Sequence, residues 1–575
     1  MKKLITLGLV FIFIFTFTIV GLAQDVELLD PWISQREQGE HGGTVVSTLL
    51  GDPKTFNTVI AQETSSTDIT DDFIFEGLVT RHGVTTEIIP QLARDWEISE
   101  DGTVYTFYLR RGVQWSDGVE FTADDVVFTF DVIKDEDVPT STRDVMKVDG
   151  EFPEYRKIDK YTFEVEIPKP FAPFMNNMMT YIIPKHKLYD AWKAGEFNST
   201  WGINTDPEEI VGTGPFTLGS YTPGERIVML RNSRYWKRDP QGKPLPYIIR
   251  WVRVISESQE TTALLFENGQ THYHAVRGID FKRFSENADS GNYHMVDAGP
   301  TFATNFLVFN MNPRNPKLEE QPWKYEWFTN IHFRKAVAYS MDKDTMINQA
   351  LAGHGSKQWS PVSAPNKVFL NEDVQKYPYS LEKAREELEA GGFSWNANGE
   401  LLGPNGRRVE FNMVTNSGNT VREQILNIIA GELRELGMKI NSTPIEFNAL
   451  VNQLMSEWDF DTIVIGLTGG VEPHSGSNVW PSDTHLHMWN PQQESPATEW
   501  EARIDELFEL GASAIETEQR VKYYNEFQEI IADKVPVIYT VTPNSLYAIR
   551  NTLKNTEPTA FGEVTWNIYE QYIAD

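Results

Sequence analysis

The most constraining feature of this 575-residue chain is the stretch at residues 92–130, which predicts a β-hairpin followed closely by a helix. Two strand-like runs flank Asp101-Gly102, a residue pair that tolerates the positive φ of a tight hairpin turn. Thr122 precedes Asp125 by three residues, so its hydroxyl and that carboxylate can satisfy the free amide donors of a helix start. The stretch therefore predicts a hairpin-plus-helix unit, which by itself is compatible with many folds.

Further patterns occur on both sides of this unit. Residues 43–66 predict a strand, a Gly-Asp-Pro turn and a polar loop, and residues 421–440 predict an amphipathic helix that runs into a strand. Residues 376–393 predict a helix that is capped by Ser380 and ended by a glycine pair.

Two shorter segments read GTGPF at residues 212–216 and NSRYW at residues 232–236. A phosphate-cradling loop is the alternative for the first of them. That alternative is disfavoured because no Lys-Ser/Thr pair follows and Pro215 lacks an amide donor.

Together these segments closely resemble the signatures of the family 5 extracytoplasmic solute-binding proteins. That family contains the dipeptide, oligopeptide and nickel receptors of ABC importers, and some relatives bind oligosaccharides. The resemblance runs from about residue 43 to residue 550. It implies an α/β, periplasmic-binding-protein-like clamshell of type II, with an extra inserted domain and two lobes joined by a hinge.

The resemblance also implies a division of the chain in which one lobe is discontinuous. The expected parts are a signal peptide (1–23), a flexible lead-in (24–42), lobe I (43–76, 209–301 and 543–575), an inserted domain (77–208) and lobe II (302–542).

The N-terminus has the order of a secretory signal. Lys2 and Lys3 precede an apolar stretch at residues 4–22, and the small residues Gly21 and Ala23 suit a cleavage site. An uncleaved membrane anchor is the alternative, because the apolar stretch is nearly long enough to span a bilayer. We therefore expect a periplasmic or otherwise extracytoplasmic protein, secreted through a cleaved signal peptide.

The composition narrows the class further. The chain has no cysteine, which removes lipid attachment at a processed cysteine, disulfides and thiol catalysis, so a lipoprotein is not expected. A net charge of −31 disfavours nucleic acid and anionic lipid as partners. The length exceeds that of a single hydrophobic core, so two or three domains are expected in what we take to be a monomer.

Three tryptophans are candidate ligand contacts. Trp359, Trp480 and Trp489 lie in Gly-, Ser- and Pro-rich surroundings, where an indole can stack on a sugar face or line a side-chain pocket. The alternative is that each of them fills the core beneath a long loop.

The segment at residues 466–490 is the main candidate for specificity. In peptide-binding members of the family, an aspartate in this position pairs with the amino terminus of the peptide, whereas this chain has Gly469-Gly470. A neutral polyhydroxy ligand needs no such partner, and Asn478 is among the neutral groups that could bind it. Glu472 could instead take over the role of the aspartate.

The histidines suggest polar contacts more than a metal site. His272 and His274, and likewise His485 and His487, have a spacing that places both imidazoles on one face of a strand, which can ligate metal. We favour hydrogen bonding by neutral imidazoles, with His474 and His487 as cleft contacts, and expect no metal or other cofactor.

The expected function is that of a receptor rather than an enzyme. No G-x-S-x-G or H-E-x-x-H motif occurs, although the 82 acidic residues leave a secreted hydrolase as a remote alternative. The resemblance implies capture of an extended solute by hinge closure and delivery to a membrane permease. An oligosaccharide is the favoured cargo and an oligopeptide or dipeptide the alternative.

Overall fold

A computed structural model of the chain describes residues 30–256 and 258–574. The predicted signal peptide and residues 24–29 of the predicted lead-in lie outside them. In the described ranges, no helix has the length and apolar character needed to cross a membrane.

The described residues form a mixed α/β structure with several sheets. The strands are β1 (Thr44–Leu49), β2 (Val79–Arg81), β3 (Ile88–Pro90), β4 (Ala93–Ile98), β5 (Val104–Leu109), β6 (Glu154–Asp159), β7 (Thr162–Glu166), β8 (Phe216–Thr222), β9 (Arg226–Arg231), β10 (Arg250–Ile255), β11 (Tyr273–Ala275), β12 (Tyr293–Pro300), β13 (Thr304–Phe309), β14 (Gly355–Lys357), β15 (Ser394–Trp395), β16 (Leu401–Leu402), β17 (Glu410–Asn416), β18 (Lys439–Ile445), β19 (Thr462–Leu467), β20 (Val537–Tyr539), β21 (Val541–Arg550), β22 (Leu553–Lys554) and β23 (Tyr572–Ile573).

The α-helices lie between these strands. They are α1 (Thr64–Thr70), α2 (Ala123–Lys134), α3 (Thr142–Met146), α4 (Phe174–Asn177), α5 (Lys185–Lys193), α6 (Gln259–Glu267), α7 (Gly278–Asn287), α8 (Pro322–Thr329), α9 (Ile331–Tyr339), α10 (Lys343–Ala350), α11 (Leu381–Ala390), α12 (Thr420–Glu435), α13 (Phe447–Asn452), α14 (Glu499–Ser513) and α15 (Thr517–Lys534).

The predicted hairpin and helix are confirmed. β4 and β5 pair antiparallel, with Trp96 opposite Phe107, and belong to the four-stranded sheet β4-β5-β7-β6. At the start of α2, the Thr122 hydroxyl accepts the Asp124 N–H at 3.3 Å, and the Asp125 carboxylate accepts the Thr122 N–H at 2.9 Å. The capping box thus fixes where the helix begins against this sheet.

A second four-stranded sheet has the order β1-β10-β9-β8, in which β1 is parallel to β10 and the other pairs are antiparallel. The GTGPF segment leads into β8, and a Cβ on Gly212 would lie 1.9 Å from the carbonyl oxygen of Ile74. The Asn232 side-chain amide of the NSRYW segment donates to the Gly214 carbonyl oxygen at 2.8 Å. These two segments therefore pack against each other, and the GTGPF segment also packs closely against Ile74.

A five-stranded sheet has the order β18-β17-β19-β13-β20, and every residue of β13 is buried in it. The predicted helices near it are confirmed. α11 begins after Ser380, whose hydroxyl accepts the Lys383 N–H at 3.2 Å, and α12 is followed directly by β18.

The described residues form two large hydrophobic cores and a smaller one around Phe266 and Phe284. Of the two large cores, one is built mainly from residues 45–255 and the other from residues 306–541. Strand β12 leads directly into β13, and β20 leads directly into β21, which pairs with β11, β12 and β14. We propose that the two cores correspond to the predicted lobes, with residues 77–208 as the inserted domain.

The described part of the lead-in, which we expected to be flexible, contacts the C-terminal part of the chain. Ser34 and Arg36 both bond to the carboxylate of Glu570, and the rings of Trp32 and Tyr569 make an edge contact at 5.5 Å. Polar side chains of the lead-in thus supply hydrogen-bond partners for the C-terminal part of the chain.

Candidate ligand-binding site

A cavity of about 420 Å³ lies where three distant parts of the chain meet. Residues 58–71 form one wall, residues 81–181 contribute a second, and residues 469–478 form the third, with Phe561 beside them. The volume lies within the range of about 300–1,000 Å³ that is typical of small-molecule sites.

The lining is rich in neutral hydrogen-bonding groups, with only two aromatic rings other than an imidazole, those of Tyr181 and Phe561. The neutral hydroxyl and amide side chains of the wall are those of Thr58, Thr67, Ser141, Thr142, Asn176, Asn177, Thr180, Ser475 and Asn478. Such a surface suits a polar, uncharged ligand or the main chain of a peptide.

Asp71 lies at the C-terminal end of α1 and lines the first wall. Its Oδ1 accepts the hydroxyls of Thr58 at 2.9 Å and Thr70 at 2.8 Å. Burial raises the pKa of the Asp71 carboxyl to about 7, against the effect of these two hydrogen bonds, and the nearby Asp72 and Asp68 raise it further. The charged form is therefore poorly stabilised by the surrounding protein.

Arg81 and Glu472 are the other charged residues in the lining. The Arg81 guanidinium bonds to Asn176 Oδ1 and to the Thr86 carbonyl oxygen, and burial lowers its pKa against the attraction of Glu472. Glu472 forms a buried ion pair with Arg520. Because its charge is already compensated, Glu472 is poorly placed to replace the missing aspartate of peptide receptors.

Gly469 and Gly470 form part of the third wall. Gly469 has a φ of +70°, and a Cβ there would lie 2.0 Å from the Phe302 carbonyl oxygen. A Cβ on Gly470 would lie 2.7 Å from the Ser475 hydroxyl oxygen, which is a side chain that can move. The backbone therefore requires glycine at residue 469 but not at residue 470.

Two of the six predicted contact residues, His474 and Asn478, line the cavity. His474 is 7% exposed, and its ring makes an edge contact with Phe171 at 4.9 Å. Burial, with a smaller effect of Arg520, lowers the pKa of His474 to about 3, so the imidazole is neutral at pH 7. Its Nδ1 has no hydrogen-bond partner among the described residues.

Three predicted contacts from the same loop are buried and do not line the cavity. The rings of Trp480 and Trp489 pack at 6.2 Å, and the Trp489 Nε1–H donates to Glu501 at 3.0 Å. His487 is fully buried, with its Nδ1 3.0 Å from the Val479 carbonyl oxygen. These side chains fill the core beneath the loop, which was the alternative for the tryptophans.

Trp359 also lies away from this cavity. The Lys343 ammonium nitrogen is 3.5 Å from the centroid of its ring, and the Lys343 side chain donates to the Gln358 carbonyl oxygen at 2.6 Å. The indole therefore shields a buried cation.

Sequence reasoning missed most of the cavity wall, including Asp71, Arg81, Asn176 and Tyr181. The sequence contained one signal for this wall. The polar loop within residues 43–66 resembles a loop that faces the ligand in members of the family. Residues 92–130, which identify the family best, contribute nothing to the lining.

The two His-x-His pairs are used in other ways. His272 Nδ1 accepts the Val46 N–H at 3.0 Å, and the His274 ring stacks on Phe284. Within residues 30–256 and 258–574, no group of three or more potential ligands is arranged to hold a metal ion.

Comparison with known proteins assigns this architecture to a class. Residues 87–486 match the family model described as bacterial extracellular solute-binding proteins, family 5. The fold is that of the type II periplasmic binding proteins. The chain belongs to family 5 of the bacterial extracellular solute-binding proteins, whose members bind solutes.

Three relatives illustrate the range of the family. A probable ABC transporter-binding protein from Deinococcus radiodurans is 27% identical over 86% of each chain. The oligopeptide-binding protein AppA from Bacillus subtilis, in complex with a nonapeptide, is 24% identical and superimposes with a TM-score of 0.80 over 94% of this chain and 100% of its own. MelB from Agrobacterium fabrum, in complex with stachyose, is 21% identical with a TM-score of 0.81 over 93% of this chain and 85% of its own.

Proposed function

We propose that this protein is the cargo receptor of an ABC importer and that its cargo is an oligosaccharide. It acts outside the cytoplasm, as a monomer, and hands the solute to a membrane permease. No covalent chemistry is involved, so the cargo leaves unchanged.

The observation that carries this proposal is the makeup of the cavity wall. Gly469-Gly470 leaves no carboxylate where peptide-binding members of the family place one, and Glu472 nearby is neutralised by Arg520. The wall instead offers nine neutral hydroxyl and amide side chains and the rings of Tyr181 and Phe561. Sugar hydroxyls both donate and accept hydrogen bonds, as these side chains do, and sugar faces stack on aromatic rings.

A short peptide is the second candidate, and one observation favours it. Asp71 is a carboxylate in the cavity wall, in a different part of the chain from the position that peptide receptors use. Relatives at similar overall likeness hold either cargo, stachyose in MelB and a nonapeptide in AppA.

Capture follows from the position of the cavity. Two of its walls come from residues 58–181 and the third from residues 469–478, which lie in the parts of the chain that form the two large cores. These parts are linked where β12 enters β13 and where β20 enters β21. A solute that touches both sides binds the closed arrangement better than an open one, so it shifts the population toward closure. The permease would then recognise the closed shape.

The experiment that tests cargo class is a thermal unfolding panel of neutral oligosaccharides and short peptides. At a ligand excess of about 100–1,000 times Kd, binding adds about 3–4 kcal/mol to the apparent free energy of unfolding. We expect a raised Tm with at least one oligosaccharide. A shift with peptides alone would overturn the cargo assignment, and steady release of cleaved product would contradict the receptor function.

Two variants place the binding in this cavity. Asn478→Ala removes a neutral amide from the lining and should reduce the shift, whereas Asn398→Ala removes an exposed amide from a turn elsewhere and should leave it unchanged. If the ligand raises Tm by the same amount in both variants, the solute binds outside this cavity.

A further inference from the structure

Three carboxylates cluster around the end of α1, and two of them have basic partners. The Arg253 guanidinium lies 3.4 Å from the Asp68 carboxylate, and Lys237 stabilises the charge of Asp72. Asp71 forms no ion pair with any described residue, and its neighbours Asp68 and Asp72 are themselves acidic. The carboxylate that lines the cavity is therefore the one without a compensating cation.

The geometry of Asp71 is that of an oriented acceptor. The hydroxyls of Thr58 and Thr70 both donate to Oδ1, which fixes the plane of the carboxylate. Oδ2 accepts no hydrogen bond from the described residues, and it is not among the buried atoms that lack a partner. An acceptor held in this way is ready for a donor from the cavity.

Arg81 does not fill this role, although it also lines the cavity. Its guanidinium bonds to Asn176 and to the Thr86 carbonyl oxygen, and the carboxylate that attracts it is Glu472. The positive charge in the wall thus interacts with groups other than Asp71.

The third wall provides an independent sign of a ligand. The His474 side chain is more than nine-tenths buried, lines the cavity and has an Nδ1 without a partner among the described residues. A buried polar atom left unpaired is destabilising. A polar ligand group that bonds to this imidazole would remove that unfavourable contribution at the third wall.

We propose that the cavity binds a protonated primary amine of the cargo, with the ammonium group against Asp71. This inference rests on the proposed receptor function and makes its cargo more specific. An amino-sugar unit of an oligosaccharide and the free amino end of a short peptide both supply this group. In the first case the cargo is an amino-sugar oligosaccharide, bound by the neutral wall through its hydroxyls and by Asp71 through its amine.

The test uses probes that differ only at the amine. The sugar series is cellotriose, the β-1,4-linked glucosamine trisaccharide and its N-acetylated form, and the peptide pair is trialanine with a free or an acetylated amino end. Calorimetric titration of the full chain gives Kd for each probe. We expect a free amine to bind at least about tenfold more tightly than its acetylated counterpart, as a charge-assisted hydrogen bond implies.

Two variants connect this preference to the proposed residue. Asp71→Asn should abolish the ratio between free and acetylated probes. Asp68→Asn, which changes a carboxylate already paired with Arg253, should preserve it. If Asp71→Asn does not fold, the free-to-acetylated ratio of the unsubstituted protein still decides whether the amine is recognised.

Each outcome separates the two proposals. Tight binding of cellotriose with no preference for an amine overturns the ammonium site and leaves the oligosaccharide receptor standing. An amine preference that occurs only with trialanine keeps the ammonium site and overturns the sugar cargo. An unchanged ratio in Asp71→Asn, or no binding of any probe at millimolar concentration, overturns the ammonium site for both sources.

Discussion

His485 and Asp144 connect two walls of the cavity by a direct bond. The imidazole Nδ1 lies 3.1 Å from Asp144 Oδ2, and the same oxygen accepts the backbone N–H of His485 at 3.2 Å. Asp144 belongs to α3, whose Thr142 lines the second wall, and His485 follows the loop that forms the third. The pair therefore links the two sides that come together in the proposed closure of the cavity.

We expect Asp144→Ala to weaken closure. The change removes the acceptor of both hydrogen bonds, each worth about 0.5–1.5 kcal/mol, so cargo affinity should fall by roughly 5- to 150-fold. Titration calorimetry with the solute that gives the largest thermal shift would measure this, and small-angle scattering would detect a larger radius of gyration.

The control for this variant is His332→Ala. Its Nδ1 lies 2.7 Å from Glu387, and both residues belong to the part of the chain around α9 and α11, away from the cavity. Its affinity and radius should match those of the unsubstituted protein. If Asp144→Ala also has the cargo affinity and radius of gyration of the unsubstituted protein, the bond between Asp144 and His485 does not stabilise the closed form.

Glycine at residue 469 is a second point of sensitivity. Gly469→Ala combines a φ of +70° with a Cβ that would lie 2.0 Å from the Phe302 carbonyl oxygen, so the backbone must move. Gly406 has a similar φ of +74°, but a methyl group there would meet nothing within 4 Å, so Gly406→Ala isolates the cost of the left-handed conformation. That cost is about 1–2 kcal/mol, and Gly469→Ala should exceed it clearly in urea unfolding. Equal losses in the two variants would mean that the third wall adapts freely.

Trp489 should matter for stability and not for cargo. The side chain is 2% exposed and donates to Glu501, so Trp489→Ala creates a cavity and removes one of the hydrogen-bond donors of that carboxylate. We expect the free energy of unfolding to fall by about 3–5 kcal/mol, with Kd for the cargo unchanged in the folded protein.

Phe561→Ala should have the opposite pattern of effects on stability and on cargo binding. This ring lines the cavity and contacts Phe302 edge-on at 5.6 Å, so its loss should weaken cargo binding with a smaller loss of stability. If Trp489→Ala weakened cargo binding more than Phe561→Ala, the loop that carries Trp480 and Trp489 would be a ligand contact after all.

The fold was predictable from sequence where its determinants are local. The Asp101-Gly102 turn, the Thr122 cap and the Ser380 cap each act over a few residues, and each lies where the sequence placed it. The contacts of the lead-in were not predictable for the opposite reason. The partner of Ser34 and Arg36 is Glu570, more than 500 residues away, and no local pattern announces such a contact.

The candidate site was predictable only in part for the same reason. His474 and Asn478 follow from the unusual composition of one loop, and that loop does line the cavity. Composition does not reveal which side of a loop faces the protein, so Trp480 and Trp489 were indistinguishable from cavity residues although they fill the core. Asp71 is one of many acidic residues in the sequence, and only its position in the cavity lining distinguishes it.

His474 should make stability depend on pH. Its folded-state pKa of about 3 lies below the unfolded value of 6.5, because burial and Arg520 disfavour the imidazolium. As pH falls below 6.5, the unfolded chain takes up the proton first, so stability that is present above that pH is lost progressively toward pH 3. At pH 5 the loss from this residue is about 2 kcal/mol.

The measurement compares urea unfolding of the unsubstituted protein and of His474→Gln between pH 7.5 and 5. Asp71 acts in the opposite direction, because its raised pKa of about 7 makes the folded state take up the proton first and adds stability as pH falls from 7 toward 4. Subtracting the two curves removes the Asp71 contribution, which is common to both proteins. We expect the difference in free energy to change by about 2 kcal/mol across this range, and parallel curves would show that His474 does not carry the predicted protonation linkage.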